Sequence, residues 1–333
     1  MEALNPEILN PGPILKDLRQ QLQAFNVSQE LYLRSSSQSS RSDLSAVANR
    51  PNPLGIREAV LPEIFQLMGI RSLTLNTDHD IKPLVILGKQ IPEDDQDKRQ
   101  FLISDSVIQV LQPYLNDCNT IAFHDWANLA GASDLWVSLL RDVIKPIKKQ
   151  SLEFIFYLGD PLTKGTFQVE EAIDIISNFS QSGLVTLALD EKEATSLWMV
   201  LNGVHDAGIL EKLTFHDQKR KYISIFRTIG IDRLLIYSYT NAMLFTKQAQ
   251  LVLARRKLVP SFELAPEARD YFIEGFSFGL LRKLDIVRCL ALGLIFFGAR
   301  SEFAADLDNQ GLIAYIDQWL GDLHEPETIF LYQ

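Results

Sequence analysis

Cysteine is nearly absent. The 333-residue chain contains two, Cys118 and Cys289, far apart in sequence. Two isolated thiols give no disulfide framework and no zinc-ligand spacing, so a reducing, cytoplasmic setting is expected rather than secretion. Histidine is scarce as well. His79, His124, His205, His216 and His324 show no close pairing of the kind that holds a metal. The opening stretch MEALNPEILNPGPILKD is acidic and proline-spotted, without the basic start and apolar run of a secretory signal. An unbroken membrane-length run is also missing. The most apolar segment, 271–299, is interrupted by Arg282, Lys283 and Asp285. The two pieces are each shorter than the roughly 20 residues a bilayer requires, so they read as buried helices and no membrane partner is expected.

Cationic excess is lacking too. Lys and Arg number 32 against 42 Asp and Glu, a net charge of −10. That balance argues against a nucleic-acid binder, which needs a cationic face. The best local basic run is Lys219, Arg220 and Lys221, and it reads first as a solvated helix face. No G-x-S-x-G elbow, G-x-x-x-x-G-K-[ST] loop or H-E-x-x-H pair occurs, which weakens hydrolase, P-loop and zincin readings.

What is present is a globular composition, 47% hydrophobic and 22% charged. It suffices for one large α/β domain with an appendage, or for two ordinary domains. Residues 1–55 are read as an N-terminal extension. The serine-dense run RSSSQSSRS at 34–42 favours a flexible linker, with a lid over a site as the alternative. Residues 56–333 are read as the α/β domain. Apolar spacing predicts helices over 56–69, 103–115, 132–147, 168–181 and 191–202. Strands are predicted at 71–76, 83–88, 120–125, 151–160 and 183–190. Several of these strands are continuous apolar runs, the pattern of a parallel sheet covered on both faces. Segments 232–239, 242–247 and 250–256 follow one another through short turns and read as an antiparallel edge. Helices at 270–284, 286–300 and 308–321 complete the chain.

In such a sheet, ligands bind beyond the carboxyl ends of the strands. The residues that follow each strand are therefore the candidates. They are His124, Asp125 and Asn128 in HDWANLAG, Asp160 and Lys164 in GDPLTKG, Asp190 and Glu193 in DEKEA, and the run PEARD at 266–270. His124 reads more readily as a strand-end histidine than as a ligand. The run Pro266, Glu267, Ala268, Arg269 and Asp270 stands at the mouth of an apolar helix and admits two readings. One is ordinary capping. The other is an anion site, since a helix start offers free N–H groups and a positive dipole end.

The stretch EARDYFIEGF retains Ala268, Asp270, Phe272, Gly275 and Phe276 of a Gly-Ala-Gly-Asp motif that continues as Asp-x-Phe-x-x-Gly-Phe. LVTLALDEKEA matches an Asn-x-x-Glu element, with Asp190 in the asparagine position and Glu193 retained. In these features, and in GLLRKLDIVRCLALG and FIFYLGDPLTKG, the chain resembles the ribokinase-like (PfkB) carbohydrate kinases over roughly residues 115–320. The resemblance implies a ribokinase-like three-layer α/β/α sandwich, its sheet mostly parallel with an antiparallel edge. It implies phosphate transfer from ATP, with Mg²⁺, to a hydroxyl of a sugar or nucleoside. Asp270 would be the base, and Glu267, Ala268, Arg269 and Asp190 would line the anion and nucleotide site. Glu193 would position the metal, usually through water, and Asp125 and Asn128 are the weaker substrate candidates. Dimers are common among such proteins, so a homodimer is one expected assembly.

The sequence departs from the pattern where Glu267 and Arg269 replace two glycines, residues that let backbone approach phosphate closely. Asp190 adds a negative charge, and no Gly-Gly-Asn signature occurs near RPNPLGIREAV at 50–60. A ribokinase-fold protein with impaired catalysis, acting as a ligand-binding or protein-interaction module, is therefore the alternative function.

Overall fold

The computed structural model describes residues 6–24, 56–58, 71–75, 84–87, 119–124, 126–128, 131–147, 149, 152–204, 215–238, 240–255, 268–303 and 309–323. Among them the strands are β1 (Glu7–Ile8), β2 (Ile56–Glu58), β3 (Arg71–Leu75), β4 (Leu84–Leu87), β5 (Thr120–Phe123), β6 (Leu152–Tyr157), β7 (Gly183–Asp190), β8 (Arg233–Tyr237), β9 (Asn241–Thr246) and β10 (Gln250–Ala254). The main helices are α1 (Pro11–Ala24), α2 (Ala132–Ser138), α3 (Thr166–Phe179), α4 (Glu191–Leu201), α5 (Phe215–Ile229), α6 (Ala268–Leu281), α7 (Ile286–Phe303) and α8 (Asn309–Asp322). Helix α2 runs on through a π-helical stretch, Leu139–Ile144, to Ile147.

The strands make one sheet in the order β1-β10-β9-β8-β7-β6-β5-β4-β3-β2. Strands β4 to β8 are parallel to one another, and β8, β9 and β10 form the expected antiparallel edge. The other flank is antiparallel too, β2 pairing with β3 and β3 with β4. This corrects the helix expected over 56–69 at its start, because Ile56–Glu58 is a strand registered on Leu73–Leu75. A short apolar run has too few residues to separate a period of two from one of 3.6. Residues 59–70 and 103–115 lie outside the described residues.

Alternation along each parallel strand builds the expected three-layer α/β/α sandwich. Phe123, Phe156, Leu187 and Ile236 point to a core closed by α2, α3, α4 and α5. Ala122, Ile155, Ala188 and Leu235 point to the opposite core, closed by α1, α6, α7 and α8. Both faces of these strands are buried, which is why the sequence shows unbroken apolar runs rather than alternation. The first core is aromatic, with Phe123 stacked on Phe156 at 4.6 Å and Phe179 edge-on to both.

In the second core α6 and α7 form a close helical hairpin. A Cβ on Gly279 would lie 2.8 Å from the Cys289 sulfur, and one on Gly293 would lie 2.7 Å from the Phe272 ring. A Cβ on Gly275 would press into the Leu292 carbonyl. The charges that interrupt the apolar run mark the turn between these helices. Lys283 sits in the left-handed region at φ 54°, and Asp285 Oδ1 accepts from the N–H groups of Val287 and Arg288 at 3.0 and 3.1 Å. Among the described residues no helix is long and apolar enough to cross a membrane.

Part of the expected 1–55 extension contributes to this core. Strand β1 adds in parallel to the edge of β10, and Leu15, Leu18 and Leu22 of α1 are buried in the second core. Arg19 pairs with Asp317 of α8 at 2.5 Å, and Asp17 with Arg288 of α7 at 2.5 Å. Apolar spacing in PILKDLRQQL explains the docking, since it places these three leucines on one helical face. The serine run at 34–42 lies outside the described residues.

Candidate active site at the carboxyl edge of the sheet

The parallel strands β4 to β8 all end on one edge, and the segments leaving β5 to β8 carry the candidate residues. After β5, His124 is half-buried with its ring 4.5 Å from the buried ring of Tyr157, the last residue of β6. The following turn, Trp126–Asn128, is fastened by the Ala127 N–H donating to the Leu158 carbonyl at 2.7 Å. Asn128 is exposed at this rim. Asp125 lies outside the described residues.

After β6 the chain turns at Gly159, whose φ of 78° is a conformation that favours glycine. Asp160 then caps a short 3₁₀ turn, accepting from the Leu162 N–H at 3.0 Å. Lys164 reaches back so that its Nζ lies 5.8 Å from the Trp126 ring. The β5 and β6 loops are thus joined into one rim.

After β7 the arrangement is tighter. Asp190 Oδ1 accepts from the Glu193 N–H at 2.7 Å, and Glu193 Oε2 accepts from the Asp190 N–H at 3.0 Å. This reciprocal capping box starts α4 and leaves Glu193 only 4% exposed. One oxygen of each carboxylate is therefore committed to the helix start. Glu191, between them, contacts Gln218 and Tyr222 of α5. Burial, then the neighbouring Asp190 carboxylate, pushes the Glu191 carboxyl above its ordinary range. Burial and the same carboxylates push the Tyr222 hydroxyl up as well.

Helix α6 begins at the same edge from the opposite face. Tyr237, the last residue of β8, is registered on Asp190 of β7. The ring of Phe272 stacks on Tyr237 with centroids 4.2 Å apart and planes 6° from parallel. That contact fixes the first turn of α6, which contains Ala268, Arg269 and Asp270, over the end of β8. Glu267 lies outside the described residues. Two helix starts, those of α4 and α6, therefore flank the β7–β8 edge from the two faces of the sheet. Such an edge suits an anion, because both helices direct positive dipole ends there.

The sequence did not single out Tyr237, Tyr157, Glu191 or Arg255. Tyr157 and Tyr237 read there as ordinary strand residues, because a period-two pattern cannot say which strand end meets a helix start. Arg255, beside the end of β10, has a side chain that is 0% exposed. Its Nε donates to the Tyr315 hydroxyl at 3.2 Å. The Lys219–Lys221 run lies on α5 and is not uniformly solvated. Arg220 is exposed, whereas Lys221 is 7% exposed with its Nζ 4.1 Å from the Trp198 ring, and burial lowers its amine from the ordinary value.

Among the described residues no group of three His, Cys, Asp or Glu side chains is placed to hold a metal ion. Asp190 and Glu193 alone do not make a direct ligand set. A Mg²⁺ ion here would be held chiefly by phosphates, with water between it and Glu193.

No family model matches the chain, and no curated protein matches it. Several solved structures are similar in chain path. A 2-dehydro-3-deoxygluconokinase from Thermotoga maritima aligns at 14% identity over 72% of this chain and 68% of its own, with a TM-score of 0.45. Adenosine kinase from Anopheles gambiae, in complex with a di(adenosine) tetraphosphate, aligns at 18% identity over 61% and 55%, with a TM-score of 0.43. Ribokinase from Cryptococcus neoformans, in complex with ADP, aligns at 13% identity over 60% of each chain, also with a TM-score of 0.43. The chain thus spans well under two thirds of the last two. At such identities the similarity concerns the path of the chain and assigns neither substrate nor chemistry.

Proposed function

We propose that this protein transfers phosphate from ATP to a hydroxyl of a sugar or nucleoside, at the β7–β8 edge where α4 and α6 begin. Asp270, in the first turn of α6, takes the proton from the acceptor hydroxyl as the new P–O bond forms and the bond from the γ-phosphorus to the bridging oxygen breaks, releasing ADP. The N–H groups of the same turn receive negative charge on the transferred group, and Arg269 offers a guanidinium to phosphate in place of the glycine that the resemblance leads one to expect there. Asp190 and Glu193 border the nucleotide, with Glu193 acting on Mg²⁺ through water. Asn128, exposed at the β5 rim, is the candidate contact to the acceptor, with Asp125 a second candidate from the sequence alone. Such chemistry consists of holding two anionic partners in line, neutralising charge and supplying one base.

The observation that carries this reading is the Tyr237–Phe272 stack, together with the tight glycine contacts of the motif's helix. Phe272, Gly275 and Phe276 are buried packing residues of the second core. Asp270 of the same motif stands in the first turn of α6. The test is nucleotide consumption by the purified protein with Mg-ATP and a panel of sugars and nucleosides. Turnover in the wild type that Asp270→Asn removes, with folding intact, supports the reading. Undiminished turnover in Asp270→Asn ends the role given to Asp270.

A second reading is favoured by the capping box. Asp190 and Glu193 each commit an oxygen to the start of α4, and Glu267 stands in the sequence where the resemblance leads one to expect a glycine. On this reading the protein binds a nucleotide or a partner without turning it over. Binding of Mg-ADP without consumption of Mg-ATP for any acceptor would select it.

A further inference from the structure

We propose that Leu162 and Phe167, where β6 joins α3, form an apolar shelf that takes the base of a nucleoside acceptor, an inference that rests on the phosphate transfer proposed above. Phe167 is 75% exposed, more than any other large apolar residue among those described, and Leu162 is 52% exposed. Both stand at the carboxyl edge of the sheet, one on the 3₁₀ turn after β6 and one in the first turn of α3.

Neither side chain is exposed for want of a fixed backbone. Pro161 is buried, and the Leu162 N–H donates to Asp160 Oδ1 at 3.0 Å. Thr163 Oγ1 donates to the Asp160 carbonyl at 2.8 Å. The Gly165 N–H donates to Gln168 Oε1 at 3.1 Å, which fixes the start of α3 and with it Phe167. Two apolar groups are thus held in water by capped turns, an unfavourable arrangement unless something covers them.

The place of the loop indicates what that is. Its 161–163 turn packs against α4, the helix that starts at Asp190 and Glu193. On its other side it is tied to the β5 rim, through the Ala127 N–H on the Leu158 carbonyl and through Lys164 beside Trp126. The loop therefore lies between the proposed nucleotide site and the rim that carries Asn128. An aromatic side chain has about 150–250 Å² of surface, so the pair at these exposures offers about 200–300 Å². A stable dimer needs about 800 Å² from each partner, whereas one planar ring system matches the smaller area. A bare sugar suits the shelf less well, because its hydroxyls need partners. Asp160 Oδ1, Thr163 Oγ1 and Gln168 Oε1 are already committed to the turns. A base offers the shelf a face that needs no hydrogen bond and leaves the ribose hydroxyls to the Asn128 rim.

The probes are adenosine, uridine and ribose, titrated by calorimetry into the full-length protein in the presence of Mg-ADP, with thermal unfolding followed in parallel. The wild type is expected to bind at least one nucleoside about ten-fold more tightly than ribose. Phe167→Ser and Leu162→Ser, at exposed positions, should each weaken that nucleoside by about five-fold and leave Mg-ADP affinity and thermal stability as they are. Phe167→Trp should retain the affinity, since stacking survives. Equal affinity for ribose and the nucleosides in the wild type, or undiminished nucleoside affinity in both serine variants, overturns the shelf. A fall in Mg-ADP affinity instead overturns it too, because the base of the donor would then be the occupant. Light scattering that shows a dimer lost in Phe167→Ser, with nucleoside affinity unchanged, assigns the residue to an interface between copies and overturns it likewise. A wild type that binds Mg-ADP and neither nucleoside removes this inference and leaves the nucleotide site standing. No Mg-ADP binding removes the nucleotide reading itself, and this inference with it.

Discussion

Phe272 lies flat on Tyr237, at 4.2 Å and 6° from parallel, so an aromatic pair ties the start of one helix to the end of one strand. Both rings are nearly inaccessible, at 1% and 3% exposure. An offset aromatic pair contributes about 0.5–1.5 kcal/mol beyond its buried area. Phe272→Leu keeps most of the apolar volume and removes the stack. It is expected to lower stability by about 1–2 kcal/mol in urea unfolding. Because the first turn of α6 loses its anchor, Mg-ADP affinity should fall further than global stability does. Equal affinity in wild type and variant would mean that the stack serves packing alone.

Gly275 offers a test whose sign is informative. In an exposed helix interior, Gly→Ala stabilises by about 1 kcal/mol through propensity. Here the added methyl would meet the Leu292 carbonyl and the Phe296 side chain, so α6 and α7 would have to separate. Gly275→Ala is therefore expected to destabilise by about 1–3 kcal/mol, the range for overpacking. A stabilised variant would show that the helical hairpin is looser than described.

Much of this architecture was legible in the sequence. Continuous apolar strands such as FIFYL announced a sheet covered on both faces, and Arg282, Lys283 and Asp285 announced the turn between α6 and α7. The failures have local causes. Ile56–Glu58 is three residues long, too short for its period to distinguish strand from helix. Leu15, Leu18 and Leu22 lay in a segment dominated by proline and serine, whose composition masked one amphipathic helix. The site was half legible. Asp190 and Glu193 stand out by spacing, and their spacing of three fits a capping box as well as it fits a ligand-binding element. Arg255 gave no signal, because Tyr315, which accepts from it, lies 60 positions away and only folding brings the two together.

The capping box can be separated from the proposed function by paired substitutions. Asn caps a helix about as well as Asp, so Asp190→Asn should leave stability within about 0.5 kcal/mol. It also removes a negative charge beside the proposed nucleotide, so Mg-ADP binding should tighten. Glu193→Gln retains an oxygen able to accept from the Asp190 N–H, whereas Glu193→Ala does not. Glu193→Ala is expected to lose about 1 kcal/mol of stability, with Glu193→Gln nearly neutral. Turnover, where the wild type shows it, should fall in both. Loss of turnover in Glu193→Ala alone would assign Glu193 to capping and not to the reaction.

Glu191 makes the pH dependence of stability testable. Its carboxyl is pushed up first by burial and then by the Asp190 carboxylate. Between the ordinary glutamate value of about 4.3 and its raised folded value, the folded state therefore holds a proton that the unfolded chain has released. Native protein binds more protons there than unfolded protein, so the stability from this group declines as pH rises through the folded value. It is fully present below the unfolded value. Glu191→Gln keeps the shape and cannot ionise, so it should escape that decline. Urea unfolding of both proteins at about pH 4 and about pH 7, either side of the ordinary value, measures the difference. The variant is expected to gain on the wild type as pH rises, and a difference that stays constant or reverses would place the Glu191 carboxyl in water rather than against Tyr222.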